Sequence, residues 1–385
     1  LKKHVSVWQR QAFVLHNTAL YARFHQPPVE KQPAALITGG AGFIGHHLAR
    51  LLLMQGYQVL VLDAFDTYYD PAIKHQRMAD LYAYLTTQNL PTHALQVYRV
   101  DLSEADTYRD ILHTWQAALQ GTQSVVYHLA GRAGVRPSIQ HPEWYLRHNV
   151  QATFTLMEQL KHLQIPRVVF ASSSSVYGEL GAYKQAQALT TGKPLTPFKE
   201  EEVLTVAPLS PYAASKLMCE QLLAPYTSIY KLSVICVRFF TVYGPEQRPD
   251  LAIHQFIHAM LHGQPIQRYG DGTTERDYTY ILDLIEGLAQ VGTYLTQCQT
   301  PTYDILNLGG GCPVSLNTMI ATIEQATQTQ VHIEVLPMQA GDVQLTAADI
   351  RKAQRLVGYQ PKVPFQEGIA RFVAWQKGER ASHTL

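Results

Sequence analysis

The chain of 385 residues is predicted to fold as an α/β protein, a doubly wound parallel sheet with helices on both faces and a smaller C-terminal substrate-binding lobe. Three observations predict it. From residue 34 onward, short apolar β-type runs alternate with helical patterns. A glycine-rich turn joins the first of these runs directly to a helix. After about residue 240 the rhythm loosens into stretches containing proline and glycine.

The strand candidates, in order, are "AALIT", "QVLVLD", "LQVYRVD", "SVVYHLA", "RVVFASSS" and "SVICVRFF". They are nearly continuous apolar runs rather than alternating ones, as expected of parallel strands covered on both faces. The looser stretches "YGPEQRPD" and "HGQPIQRYGDGTTERD" then precede one more strand-like run, "YDILNLGG". The division expected from this is a Rossmann-type domain over 34–239 with a return segment at about 278–309, and a second lobe over 240–277 and 310–385. That lobe is expected to cover the carboxyl ends of the strands, where open α/β sheets bind ligands. The polar stretch "GAYKQAQALTTGKPLTPFK" at 181–199 reads as a long loop or insertion. Residues 1–33 form an extension in which Trp8, Ala12, Leu15 and Ala19 recur at helical spacing, predicting an amphipathic helix. Its opening, "LKKHVSVWQRQAFVLHNTAL", lacks the apolar core of a secretory signal.

A formal net charge of +1 with 16% charged residues argues against nucleic acid and anionic membrane surfaces as partners. No apolar run approaches the roughly 18 residues needed to span a bilayer. Cys219, Cys236, Cys298 and Cys312 lie far apart, with no C-x-x-C pair and no His cluster at zinc spacing, so no metal site is expected. They read as reduced thiols of a soluble, cytoplasmic protein.

In "ALITGGAGFIGHHLARLLL", Gly39, Gly42 and Gly45 stand between strand and helix. Glycine lets the backbone approach a pyrophosphate, and the helix presents unpaired N–H groups and its positive dipole end to that anion. Asp63 ends the second strand about 20 residues on, where a carboxylate accepts from the adenosine ribose hydroxyls and repels a 2′-phosphate. NAD is therefore expected rather than NADP. Asp101, ending the third strand, is a candidate for the adenine end. In "SPYAASK", Tyr212 and Lys216 share one helix face, so the ammonium is predicted to lie by the phenol and stabilise its phenolate. The strand ending in "FASSSSVYGE" brings hydroxyls to the level of a nicotinamide ring.

These features together resemble the extended short-chain dehydrogenase/reductase family, specifically its nucleotide-sugar epimerases and within them the UDP-glucuronate 4-epimerases. The resemblance runs over roughly 34–375 and is carried by "TGGAGFIG", "DTYYDPAIK", "HLAGRAGVRPSI", "SSSSVYGE", "SPYAASK", "RFFTVYGPEQRPD" and "ERDYTYILD". It implies Ser173, Tyr212 and Lys216 as catalytic residues, and an NAD site formed by Gly39, Gly42, Phe43, Ile44, Gly45, Asp63, Asp101, Leu102, Leu129 and Ala130 together with Tyr212 and Lys216. It places Ser174, Ser175 and Thr241 at the sugar carboxylate, with Arg136 beside them, and Arg248 and Arg276 at the diphosphate. The implied reaction is C4 epimerisation of a UDP-sugar through a transient 4-keto sugar, with the cofactor regenerated.

Within the family, decarboxylating relatives carry Glu at the place of Ser175, dehydrating ones Asp-Glu at 174 and 175, and epimerases of neutral UDP-hexoses commonly Asn at the place of Thr241. An NAD-binding regulator of the same fold typically loses the tyrosine or the lysine. The resemblance also implies a homodimer paired through a four-helix bundle around 105–120 and 145–163, although the apolar stripe of "WYLRHNVQATFTLMEQL" equally suits packing within one chain.

Overall fold

The computed structural model describes residues 32–192, 194–205, 207–338 and 343–379. The helix expected around Trp8, Ala12, Leu15 and Ala19 lies outside them. Strands β1 (Ala34–Thr38), β2 (Gln58–Asp63), β3 (Leu95–Arg99), β4 (Val125–His128), β5 (Arg167–Ser173) and β6 (Ser233–Phe239) coincide with the six apolar runs. Beyond them come β7 (Thr241–Tyr243), β8 (Ile266–Tyr269), β9 (Glu275–Tyr280), β10 (Tyr303–Leu308), β11 (Pro313–Ser315) and β12 (Ile333–Leu336). The main sheet has the order β10-β6-β5-β4-β1-β2-β3, and all its pairs are parallel. The order reverses at β1, so the carboxyl ends of β1 and β4 flank the crevice in which such sheets bind ligands.

The helices are α1 (Phe43–Met54), α2 (Pro71–Thr87), α3 (Arg109–Leu119), α4 (Val135–Gln140), α5 (Pro142–Tyr145), α6 (Ala152–His162), α7 (Leu180–Thr191), α8 (Pro211–Ser228), α9 (Ala252–Leu261), α10 (Ile281–Gln297), α11 (Leu316–Thr327), α12 (Arg351–Val357) and α13 (Phe365–Gln376). Side chains of a strand alternate between its faces, and each strand here feeds two cores. Ala35 and Ile37 of β1 join Val59 and Val61 under α1, α2 and α10; Ala34 and Leu36 join Leu60 and Val126 under α3, α6 and α8.

The second lobe holds more structure than its sequence suggests. A three-stranded sheet, β11-β9-β7, and a two-stranded one, β12-β8, occupy it. Residues 278–280, expected in the return segment, instead belong to β9 of this lobe, while β10 returns to the main sheet beside β6. The loop expected at 181–199 is helical as far as Thr191, as α7. Lys184 explains the difference: it is buried, and its ammonium donates to Thr196 Oγ1 (3.1 Å), Pro197 O (2.8 Å) and Glu202 Oε2 (2.9 Å), folding the polar segment back on its own helix. Gly192 ends that helix at φ 66°, where glycine carries no Cβ penalty.

Among the described residues no helix is long and apolar enough to cross a membrane.

Candidate active site

The carboxyl ends of β1, β2, β4 and β5 open onto one cavity of about 570 Å³, roofed by residues of the second lobe. At its cofactor end the turn after β1 is shaped by contact distances that admit only hydrogen. Gly39 sits at φ 69°, and a Cβ there would lie 2.8 Å from Ala130 Cα; at Gly45 a Cβ would lie 2.4 Å from Gly39 O. Gly42 caps α1 without any side-chain hydrogen bond, so the first-turn N–H groups of a 12-residue helix face the cavity uncapped by protein side chains. Asp63 is buried and accepts from Ala41 N (3.1 Å) and Phe65 N (2.8 Å), with Lys74 Nζ at 3.5 Å. Asp101 accepts from Ser103 and Arg147 at the far edge. Phe43, Ile44, Leu102, Leu129 and Ala130 complete the wall. A cradle with no room for Cβ atoms, an uncapped helix start and a strand-end acid suit a dinucleotide.

The reacting end is built from β5 and α8. Ser210 caps α8, accepting from Ala213 N at 3.1 Å, and Pro211 takes its first position, a combination that fixes the first turn, where Tyr212 sits. Ser173, the last residue of β5, accepts at Oγ from Ser175 N (3.2 Å) and Ser175 Oγ (2.9 Å). Its own hydroxyl proton is not used in these two bonds. Burial raises the Tyr212 pKa above the ordinary phenol value, while Ser173 and then Arg248 pull against that rise. Behind Ser173 the buried Ser172 donates to Glu220 Oε1 (2.5 Å), and Glu220 is bound bidentately by the buried Arg238 at 2.9 and 2.8 Å. Glu220 lies two turns beyond Tyr212 on α8, so the pair locks the serine strand to the tyrosine helix.

Two expectations are corrected. The hydrogen bond of the Lys216 ammonium goes to Ala171 O, at 2.7 Å, rather than to the Tyr212 phenol, and the ammonium lies 5.0 Å from the Phe170 ring. Sharing a helix face with the phenol is outweighed by a buried carbonyl on β5, and burial lowers the lysine pKa. Arg136 is not part of the cavity wall. It is exposed on α4 and stacks on the Tyr269 ring of β8 at 4.7 Å, bridging the two lobes. Ser174, Ser175, Thr241, Arg248 and Arg276 do line the cavity. Arg248 is held by Asp250 (3.0 and 2.6 Å) over the Tyr68 ring, and Arg276 donates to Glu275 O.

Sequence reasoning missed Asn149. It lies in a π-helical segment, Leu146–Gln151, accepts from Arg132 N (2.7 Å), and donates to Arg132 O (3.0 Å) and Ser215 Oγ (2.9 Å), fixing the loop after β4 to α8. Nothing in a lone Asn within a helical pattern marks that role. Lys74, which links Asp63 to Asp66 (2.7 Å), was visible only as part of "DTYYDPAIK".

A family model described as GDP-mannose 4,6 dehydratase matches residues 36–372. A UDP-glucuronate 4-epimerase of Thermodesulfobacterium geofontis is 35% identical over 89% of this chain and 95% of its own length. The chain belongs to this nucleotide-sugar branch of the extended short-chain dehydrogenase/reductase family. Among solved structures, UDP-glucuronic acid 4-epimerase from Bacillus cereus, in complex with UDP-glucuronic acid and NAD, superposes with a TM-score of 0.75 at 31% identity, covering 90% of this chain and 99% of that one. A UDP-glucose 4-epimerase of Thermus thermophilus, in complex with NAD, gives 0.73 at 28% identity over 90% and 99%. Both epimerases thus share this chain's fold over nine-tenths of its length.

Proposed function

We propose that the protein is an NAD-dependent isomerase that epimerises UDP-glucuronate to UDP-galacturonate at C4. The observation that carries this reading is that Ser173 and Tyr212 face one cavity with the glycine turn and Asp63 at one end and Ser174, Ser175 and Thr241 at the other. Bound NAD supplies the reversible hydride acceptor and a positive charge close to the phenol. The chain's own residues do the rest. Tyr212 takes the C4 hydroxyl proton and returns it after the 4-keto sugar has turned over, while the Ser173 hydroxyl holds the same oxygen. Burial favours the neutral phenol, so the extra charge delivered with the cofactor and the field of Arg248 oppose that bias. Lys216, braced on Ala171 O in the cavity wall, is assigned to the cofactor.

A 4-keto glucuronate is a β-keto acid and loses carbon dioxide when its C5–C6 bond aligns with the carbonyl π system. Hydroxyls at Ser174, Ser175 and Thr241 would hold the carboxylate out of that alignment. With serines at 174 and 175 the site lacks the carboxylate that C5 or C6 chemistry needs, which supports epimerisation over decarboxylation or 4,6-dehydration. Thr241 favours a uronate over a neutral UDP-hexose.

The lobe formed by 240–280 and the segment from 310 onward is assigned to the nucleotide sugar, with Arg248 and Arg276 on its diphosphate. Exposed Leu146 and Phe154, at 52% and 44%, support a homodimer paired through 105–120 and 145–163. Four free cysteines agree with a reducing, cytoplasmic setting.

The test is incubation with NAD and, separately, UDP-glucuronate, UDP-glucose and UDP-N-acetylglucosamine, with products read by proton NMR. A galacturonate signal without pentose is expected. A pentose product would assign decarboxylation, and turnover of UDP-glucose alone would assign a hexose epimerase.

A further inference from the structure

Arg248 sits in a loop, 244–250, whose shape its own sequence does not dictate. Gly244 is at φ 140° and Glu246, a non-glycine residue, is left-handed at φ 62°. Such a residue persists there only when its surroundings over-determine it. Three consecutive carbonyls of the loop are each met by a side chain from another element. His47 Nε2 lies 3.2 Å from Pro245 O, Arg77 Nη2 donates to Glu246 O at 2.5 Å, and His254 Nδ1 lies 3.0 Å from Gln247 O. Burial pushes His47 well below the ordinary imidazole pKa, so its ring is neutral and the nitrogen facing Pro245 O carries the proton.

The Glu246 carboxylate turns back toward the same elements, 2.8 Å from His46 Nε2 and 3.4 Å from Arg77 Nε. Neither contact has hydrogen-bond alignment. Arg77 is 2% exposed, and its other amino group donates to Ala41 O (3.2 Å) and Tyr69 Oη (2.9 Å). Ala41 belongs to the glycine turn, and its N–H goes to Asp63 Oδ2 at 3.1 Å. One guanidinium therefore ties the cofactor turn to the loop that carries Arg248.

The geometry points to Glu246 and Arg77 as positioning residues that set the 244–250 loop against the glycine turn, so that Arg248 presents its guanidinium to the diphosphate of the nucleotide sugar. The inference rests on the assignment of Arg248 to that diphosphate. Neither residue lines the cavity, and Glu246 reaches it through the 244–250 loop, of which Arg248 is the lining residue.

UDP serves as the probe, titrated calorimetrically into the NAD-loaded protein. Glu246→Gln keeps the side-chain volume and removes the charge. Glu246→Gly also removes the backbone strain, so a purely structural role for Glu246 predicts that it is tolerated. Both variants are expected to weaken UDP roughly tenfold. Arg248→Ala is expected to weaken UDP as well, and the double variant Glu246→Gln/Arg248→Ala to be no weaker than Arg248→Ala alone. Wild-type UDP affinity in Glu246→Gly, or fully additive losses in the double variant, would overturn the positioning role while leaving Arg248 on the diphosphate. Unchanged UDP affinity in Arg248→Ala would instead overturn the diphosphate assignment, and this inference with it.

Discussion

The cofactor end and the sugar end of the cavity are shaped by different means. At the first, Gly39, Gly42 and Gly45 act through backbone and the absence of Cβ atoms, all within one strand-turn-helix junction. At the second, the working groups are side chains gathered from β5, β7, β9 and the 244–250 loop, segments far apart in the chain. A backbone-built site fails by steric clash and fails completely. A side-chain-built site fails by degrees, one interaction at a time, and can change its substrate without losing its cofactor.

Substitutions that separate the two ends test the contrast. The largest effect is expected from Tyr212→Phe, which removes the proton acceptor and should lower kcat by about 10²–10⁴-fold while NAD remains bound, read by turnover and by cofactor retention on gel filtration. Full activity in that variant would end the mechanism. Where β5 and α8 join, Glu220→Ala strands the buried Arg238 guanidinium and should cost about 3–5 kcal/mol of stability in urea unfolding. A loss below about 1 kcal/mol would mean that Tyr177 Oη and Glu200 O, which Arg238 also reaches, suffice for it. Gly45→Ala forces a methyl to 2.4 Å from Gly39 O and should abolish NAD retention while leaving the fold cooperative; retained NAD would refute the steric account of that end.

A pH effect belongs to the second lobe. Asp277 is fully buried and accepts from Gly310 N, Gly311 N and Ala348 N, yet burial still pushes its carboxyl up to about 6. A raised folded pKa means that the native state holds a proton which the unfolded chain has released. The stability contributed is thus complete below about pH 4 and lost as pH rises to about 6, roughly 1–3 kcal/mol in all. The difference in unfolding free energy between wild type and Asp277→Asn, followed from pH 4 to 7, should fall across that window; a flat difference would contradict it. The smallest effect is expected from Arg136→Ala, which removes one exposed cation–π contact between the lobes, worth about 0.5–1 kcal/mol. A large loss of turnover there would restore Arg136 to the sugar site.

Much of the fold was legible because buried parallel strands are written as contiguous apolar runs, and β1 to β6 match those runs closely. The short strands β7, β8, β11 and β12 were not legible. They have three or four residues each, and their pairing depends on partners far along the chain. At the site the glycine turn, Asp63, Ser173 and Tyr212 all line one cavity. What spacing could not supply was direction. Lys216 has the right interval from Tyr212, but its ammonium follows a carbonyl 45 residues away, and Arg136 follows an aromatic ring on another lobe. Likewise, helix α7 depended on Lys184 finding Glu202 across a segment whose composition reads as loop.

The widened turn at Leu146–Gln151 bears on how this protein can be altered. A π-helical turn accommodates one residue more than an α-helical one. Deleting one residue there would let the segment close into a regular α-helix, with α5 and α6 kept near their present register. The amide of Asn149 would then swing off Arg132 and Ser215, and the loop after β4 would lose its hold on the helix bearing Tyr212. A one-residue shortening, which in a regular helix would turn everything beyond it by about 100°, would here act through the loss of the bulge itself, without touching any group that meets the sugar.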